Sequence, residues 1–472
     1  MSGKVFIIMT SLILLSAGIA GDAAEDIRKF SQIRNEVPGL RPEMLYPEFW
    51  IALVPDAENV IMNESELAAY NRSSVRKAGD ALIDLNEYPN ELKGEELKTD
   101  LKALSSVPAS SRFAADGRKL DDGDYKKYID NCGFDLIPDT VQVRWGLAVK
   151  RGLLRSFPTA DRVTNSNRDK EIDMFVETAL FPGEAVAVLH ESRDKKWLLV
   201  QKYNYLAWAD ASQVAVGPRD TVLDYVGTTP FLVVTGAKEK TVYNPDTPAI
   251  SELEFDMGCR LPLIADPPKE IGGMGVDYCF AVLIPTREAD GSLTLSPALI
   301  KRSADVNLGY LPYTKANIIR QAFKFLGERY GWGDDNNARD CSGFVLNVFT
   351  SMGLAMPRNG GEQELASEGI HVDLTGKSPA ERVELLRQME TGDTISSPTH
   401  IMLFLAAYDG ELWMIHDHIG SNYIGKDGEW IDVATRGVGV SPILGYMTGR
   451  DRHYYEAFSG LKRFVLPKEG NK

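Results

Sequence analysis

Hydrophobic and polar positions divide the 472-residue chain into stretches of different period. Val5 to Ala20 is nearly unbroken apolar sequence, led by Lys4 and followed by small residues and the acidic stretch Asp22 to Asp26. A positive start, an apolar run and small residues at Ala20 and Ala23 make the pattern of a secretory signal over residues 1–23. The run is short for a span of about 20 residues, and no other stretch is apolar enough to cross a membrane. An exported protein without a stable membrane anchor is expected, periplasmic or at the cell surface. Residues 24–125 read as a mostly helical segment, with amphipathic runs at Glu66 to Ala69 and Glu95 to Leu104. The period then shortens. Thr140 to Val149, Gly183 to Leu189, Trp197 to Val200 and Tyr203 to Trp208 read as short strands separated by polar turns, which predicts a small β-barrel over 126–215. Thr229 to Val234, Tyr278 to Ile284 and Leu293 to Leu295 predict a second, divergent β-unit over 216–310.

Residues 311–472 return to a mixed pattern. Thr314 is placed to cap a helix whose apolar face is Ile318, Ile319, Ala322, Phe325 and Leu326, with Gly327 as its stop. A glycine-rich loop, Tyr330-Gly-Trp-Gly-Asp334, leads to Arg339-Asp-Cys-Ser-Gly-Phe-Val345. Phe344, Val345, Val348, Phe349 and Met352 then recur at helical spacing. Asp340 therefore falls at an N-cap and Cys341 in the first turn, where the helix dipole favours a thiolate. Downstream, His400 opens an apolar run that ends at a turn over Tyr408-Asp-Gly410, and the chain returns through Leu412 to His416 and His418. A three-residue loop would set residue 402 opposite 416 and 400 opposite 418, with all four on one face. A two-residue turn would send His416 to the other face. Either way, histidines come near His400, and a base oriented by a second polar group beside a helix-terminal thiol is the arrangement for acyl transfer.

Composition narrows the function further. The chain carries 52 Lys and Arg against 67 Asp and Glu, a net charge of −15, which argues against a nucleic-acid partner. Its four cysteines, Cys132, Cys259, Cys279 and Cys341, are too few for a disulfide scaffold. Cys259 and Cys279 are the nearest pair in sequence. The cluster Gly272-Gly273-Met274-Gly275 has neither dinucleotide-loop nor P-loop spacing.

In order, Tyr330-Gly-Trp-Gly, Asp340-Cys-Ser-Gly-Phe344, Gly392-Asp393, His400 at a strand start and Ile415-His416 resemble the NlpC-type cell-wall cysteine peptidases. The strand pattern upstream resembles bacterial SH3-like domains. The resemblance implies an α+β multidomain protein: a helical N-terminal segment, two SH3-like β-barrels and a C-terminal papain-like peptidase domain. It implies Cys341 as nucleophile, His400 as general base, His416 as the third residue and Tyr330 as an oxyanion donor. Asp340 and Ser342 would help bind a free amino group, and Arg358 and Gln363 match a stretch near the cleft. The substrates implied are peptidoglycan stem peptides or murein fragments, cut at the γ-D-glutamyl–diamino-acid bond next to a free N-terminal L-Ala, with no metal or cofactor. The chain departs from the family where Asp334 replaces a usual glycine, and His418 offers a rival third residue. Two other functions compete: a His400, His416 and His418 metal hydrolase, and a wall-binding SH3 protein without catalysis.

Overall fold

The computed structural model describes residues 36–77, 81–167 and 169–466; the leader expected over residues 1–23 lies outside the described residues. No helix among the described residues is long and apolar enough to cross a membrane.

The helical stretch before residue 125 divides between two cores. Pro47–Leu53 and Glu64–Lys77 join the C-terminal domain. Trp50 is fully buried there, 5.9 Å from Trp413, and Val60–Met62 pairs with Tyr313–Thr314. Gly94–Leu104 and Asp122–Cys132 instead pack on the first barrel through Leu97, Leu101 and Tyr125. Asp121 caps the latter helix by accepting from Asp124 N.

The first barrel is a seven-stranded antiparallel sheet in the order 214–217, 144–148, 185–191, 197–202, 205–210, 152–155 and 176–180. Trp145, Trp197 and Trp208 fill its core. Its last strand, Val176–Leu180 (β1), faces the C-terminal domain. A second SH3-like unit follows, in which Phe231–Val234 pairs with Arg260–Pro262 and Val306–Leu308. A long hairpin, Cys279–Arg287 with Leu293–Lys301, completes it around Leu232, Val282, Ile284 and Ile300. Cys259 and Cys279 are both free, as are Cys132 and Cys341.

The C-terminal domain sets two helices, Lys315–Phe323 (α1) and Cys341–Thr350 (α2), against a six-stranded sheet. Thr314 caps α1 by accepting from Asn317 N at 3.0 Å. The sheet runs 370–373, 460–463, Thr394–Ser397 (β2), His400–Tyr408 (β3), Glu411–His418 (β4) and Gly437–Pro442 (β5). Ile401, Leu403, Ile415 and Val440 bury one face against α1 and α2, while Met402, Phe404 and Met414 bury the other. That alternation is the period-2 pattern of a sheet covered on both faces.

Candidate active site

Asp340 caps α2: its backbone is extended and its Oδ1 accepts from Gly343 N at 2.8 Å. Cys341 is thereby the first residue of the helix, half-buried at its positive end. Gly343 has a steric reason to be glycine, since a Cβ there would lie 2.1 Å from Asp334 Oδ1.

The hairpin that carries the histidines combines both sequence alternatives. Its turn has two residues, Asp409 and Gly410, both with positive φ, as a tight hairpin of strand-matching twist needs. A β-bulge at Leu405 then shifts the register by one residue, from Ala406 opposite Trp413 to Phe404 opposite Met414. The shift returns His416 to the face of His400. His400 Nε2 meets His416 Nδ1 at 2.8 Å, and His416 Nε2 meets Ser441 Oγ at 3.1 Å. With Nε2 engaged, His400 keeps Nδ1 for a proton from a thiol. His418 is stacked behind His416, ring centroids 3.7 Å apart and nearly parallel, and its Nδ1 bonds His416 O at 3.3 Å. It is not the partner of His400. Rings stacked in this way do not converge their nitrogens on one point. Among the described residues no group of three or more His, Cys, Asp or Glu side chains is arranged to hold a metal ion.

The residues flanking the nucleophile form a buried charge cluster. Arg358, 2% exposed, donates from Nη2 to Asp340 Oδ2 at 2.8 Å and pairs with Asp334 at 3.0 Å. It also donates to Ser342 Oγ and, from Nε, to Thr178 Oγ1 of β1 at 2.6 Å. Asp340 further accepts from Gly333 N and Ser342 Oγ. Asp340, Ser342 and Arg358, which the resemblance places at the substrate, are hydrogen-bonded to one another. Two buried carboxylates need a cation, and Arg358 supplies it. Gln363 donates to Ser342 O and Pro357 O and fixes the neighbouring turn.

Asp334 explains its own departure from glycine. In the left-handed region at φ 64°, its carboxylate accepts from Thr178 Oγ1 and Ala179 N, so it bridges the C-terminal domain to the barrel. Gly333 packs so tightly on β1 that a Cβ would lie 2.8 Å from Val176 Cγ1. The barrel also places half-buried Glu177 beside this cluster, accepting from Tyr205 OH at 2.6 Å and lying in the field of Arg358. Burial pushes its carboxyl up. Tyr330 is half-buried within electrostatic reach of Cys341, and burial holds its hydroxyl protonated. On another side, Tyr454 bonds Ser397 Oγ at 2.9 Å and lies in the field of Cys341. Thr178, Glu177, Tyr205, Ser441 and Tyr454 carry no local sequence signal; they reach the site through pairings across tens to hundreds of residues.

Electrostatics favour a neutral resting pair rather than the thiolate expected from helix position. Burial and the Asp340 carboxylate push the Cys341 thiol up to about 12, and burial, with a lesser influence of neighbouring His418, pushes His400 down to about 3. Asp417, on the opposite face of β4, is buried with no hydrogen-bond partner, and burial and nearby Asp340 push it up to about 9. It adds no negative charge near the thiol at neutral pH.

The comparisons with known proteins reach both the first barrel and the C-terminal domain. The NlpC/P60 family model matches residues 327–431, which hold Cys341, His400 and His416, and an SH3 domain model of the SH3b1 type matches residues 161–210. The chain carries an NlpC/P60 domain behind an SH3 domain. Outside these matches the relationship is distant. A gamma-D-glutamyl-L-lysine dipeptidyl-peptidase of Bacillus subtilis (strain 168) is 28% identical over 193 residues, 39% of this chain and 51% of that protein. The chain thus spans about half the length of that relative. One of the same name from Bacillus cereus (strain ATCC 10987 / NRS 248) is 25% identical over 321 residues, 64% of this chain and 77% of that protein. A solved NlpC/P60 endopeptidase from Photobacterium damselae subsp. piscicida has a TM-score of 0.68 and 17% identity, covering 89% of this chain and 97% of that one. That similarity shows a shared fold across SH3-like and NlpC/P60 domains alike.

Proposed function

We propose that the protein is a cysteine peptidase that hydrolyses the γ-D-glutamyl–diamino-acid amide of peptidoglycan stem peptides with a free N-terminal L-Ala. The observations that carry this reading are the thiol of Cys341 at the start of α2, held against the Ile401 backbone, and the linked imidazoles of His400, which opens that same strand, and His416. His400 Nδ1 takes the thiol proton as sulfur attacks the γ-carbonyl carbon. The oxyanion is held by the backbone N–H of Cys341 and the Tyr330 hydroxyl. The imidazolium then gives its proton to the leaving amine as the C–N bond breaks, leaving a thioester. His400 next deprotonates water, which attacks the thioester and releases the thiol.

Substrate choice belongs to the barrel side of the cleft. Glu177 and Asp340 both lie in the field of Arg358, and carboxylates there suit a free ammonium. Asp340 is committed to Arg358, so Glu177 takes the larger share. The names of the two Bacillus relatives support the γ-D-glutamyl bond. Export to the periplasm or cell surface would bring the enzyme to this substrate.

Incubation with L-Ala-γ-D-Glu-diaminopimelate tests the proposal. Mass spectrometry should find L-Ala-D-Glu with the wild type and none with Cys341→Ala. Equal release by both proteins would refute a thiol mechanism, and a wall pull-down without cleavage would favour a binding protein.

A further inference from the structure

A histidine works as a base only in the right tautomer, and the structure shows what sets it. For His400 Nδ1 to accept the thiol proton, its proton must sit on Nε2 and be donated to His416 Nδ1, 2.8 Å away. His416 must then carry its own proton on Nε2. Each ring has one donor and one acceptor when neutral, so the state of the first is fixed by what faces the far nitrogen of the second. That nitrogen faces Ser441 Oγ at 3.1 Å. Ser441 is 1% exposed and His416 fully buried, so no bulk water substitutes for the hydroxyl.

We infer that Ser441 is a positioning residue for catalysis, the fourth member of a line Cys341–His400–His416–Ser441, and that its oxygen accepts the His416 Nε2 proton and so selects the reactive tautomer of His400. The inference rests on the peptidase reading for its effect on rate, but its structural content is separate from it.

His418 supports the same line without joining it. A carbonyl only accepts, so His418 Nδ1–H donates to His416 O. Its Nε2 is then a bare lone pair, buried without a partner, and makes no bond to either ring nitrogen of His416. The stack holds the His416 ring plane. Gly439, cross-strand from His416, would bring a Cβ to 3.4 Å from His418 Cε1, so the stack has little room to slide. Ser441 lies two residues further along β5 on the same face, which brings its hydroxyl to the edge of the held ring.

The opposite arrangement, Ser441 donating to His416 Nε2, would put the His416 proton on Nδ1 and leave His400 with a protonated Nδ1, unable to take the thiol proton. The two arrangements differ at one observable atom. Full-length protein labelled with 15N-histidine, with His416 assigned through a His416→Asn variant, should show His416 protonated at Nε2 and bare at Nδ1. Ser441→Ala should mix the two tautomers and lower kcat on the free-amine peptide about tenfold or more with KM within about twofold, the range of lost outer partners of a working imidazole. Ser441→Thr, which keeps the hydroxyl, should restore the tautomer and most of kcat. A wild-type His416 protonated at Nδ1, or a Ser441→Ala protein with unchanged tautomer and kcat, would overturn the inference. If the wild type cleaves no wall peptide, the peptidase reading fails, while the tautomer of His416 still decides this one.

Discussion

Asp417 is the residue whose titration can be read most directly. Its carboxyl is buried without a partner and pushed up to about 9, against about 3.9 in an unfolded chain. A folded-state value above the unfolded one means that the folded protein holds the extra proton between the two. The stability this gives is complete below pH 3.9 and is lost as pH rises toward 9. Asp417→Asn removes that loss, so the variant should gain on the wild type by about 1 kcal/mol per pH unit from pH 5 to pH 8 in denaturant unfolding. A constant difference across that range would mean that Asp417 is ionised in the fold. Cys341 offers a second residue-scale test. With the thiol pushed up to about 12 and His400 down to about 3, the thiolate fraction grows with pH throughout the accessible range. Iodoacetamide modification of Cys341 should therefore accelerate steadily from pH 6 to pH 9. A plateau beginning below neutral pH would instead reveal a preformed thiolate–imidazolium pair.

At the scale of elements, the parts of the site that the sequence displays are those built from neighbouring residues. Asp340 as cap, Cys341 in the first turn and Thr314 as the cap of α1 are all local, and each is found where its neighbours predict it. The partner of His400 is not local in this sense. It depends on the bulge at Leu405, which sits in the apolar run Ile401 to Ala406, where every residue is buried and no alternation of polar and apolar residues marks the slip. The charge cluster is hidden for a related reason. Asp340, Ser342 and Arg358 have the chemistry of a binding subsite, and only the arrival of Asp334 and Thr178 shows them engaged with one another. Gly343 tests how closely α2 and the Asp334 loop must approach. Gly343→Ala would drive a methyl to 2.1 Å from the Asp334 carboxylate. It should cost about 1–3 kcal/mol in stability and lower peptidase activity more than Gly361→Ala, whose Cβ meets nothing within 4 Å. Equal activity in the two variants would show that the helix and loop can separate freely.

Across the whole molecule, the first barrel packs directly on the NlpC/P60 domain beside the nucleophile helix. Asp334 and Arg358 reach Thr178, Arg151 donates to the Asp334 and Ala338 carbonyls, and Gly333 lies on Val176. The helical stretch near the N-terminus reinforces both bodies instead of standing alone, since Trp50 enters one core and Leu101 the other. On the function proposed here, a barrel packed beside the nucleophile helix suits a short free peptide better than cross-linked wall. Intact sacculi should therefore release no soluble peptide under conditions in which L-Ala-γ-D-Glu-diaminopimelate is fully cut; solubilisation of sacculi at a comparable rate would mean that the barrel does not restrict the site. The most direct test of the whole account reads nucleophile and subsite together. An L-Ala-γ-D-Glu probe ending in an acyloxymethyl ketone is added to the protein, and the labelled cysteine is found by peptide mapping. The expected result is a label on Cys341 alone, slowed in His400→Ala and absent with the N-acetylated probe. A label on Cys132, Cys259 or Cys279, or no preference for the free amine, would contradict it.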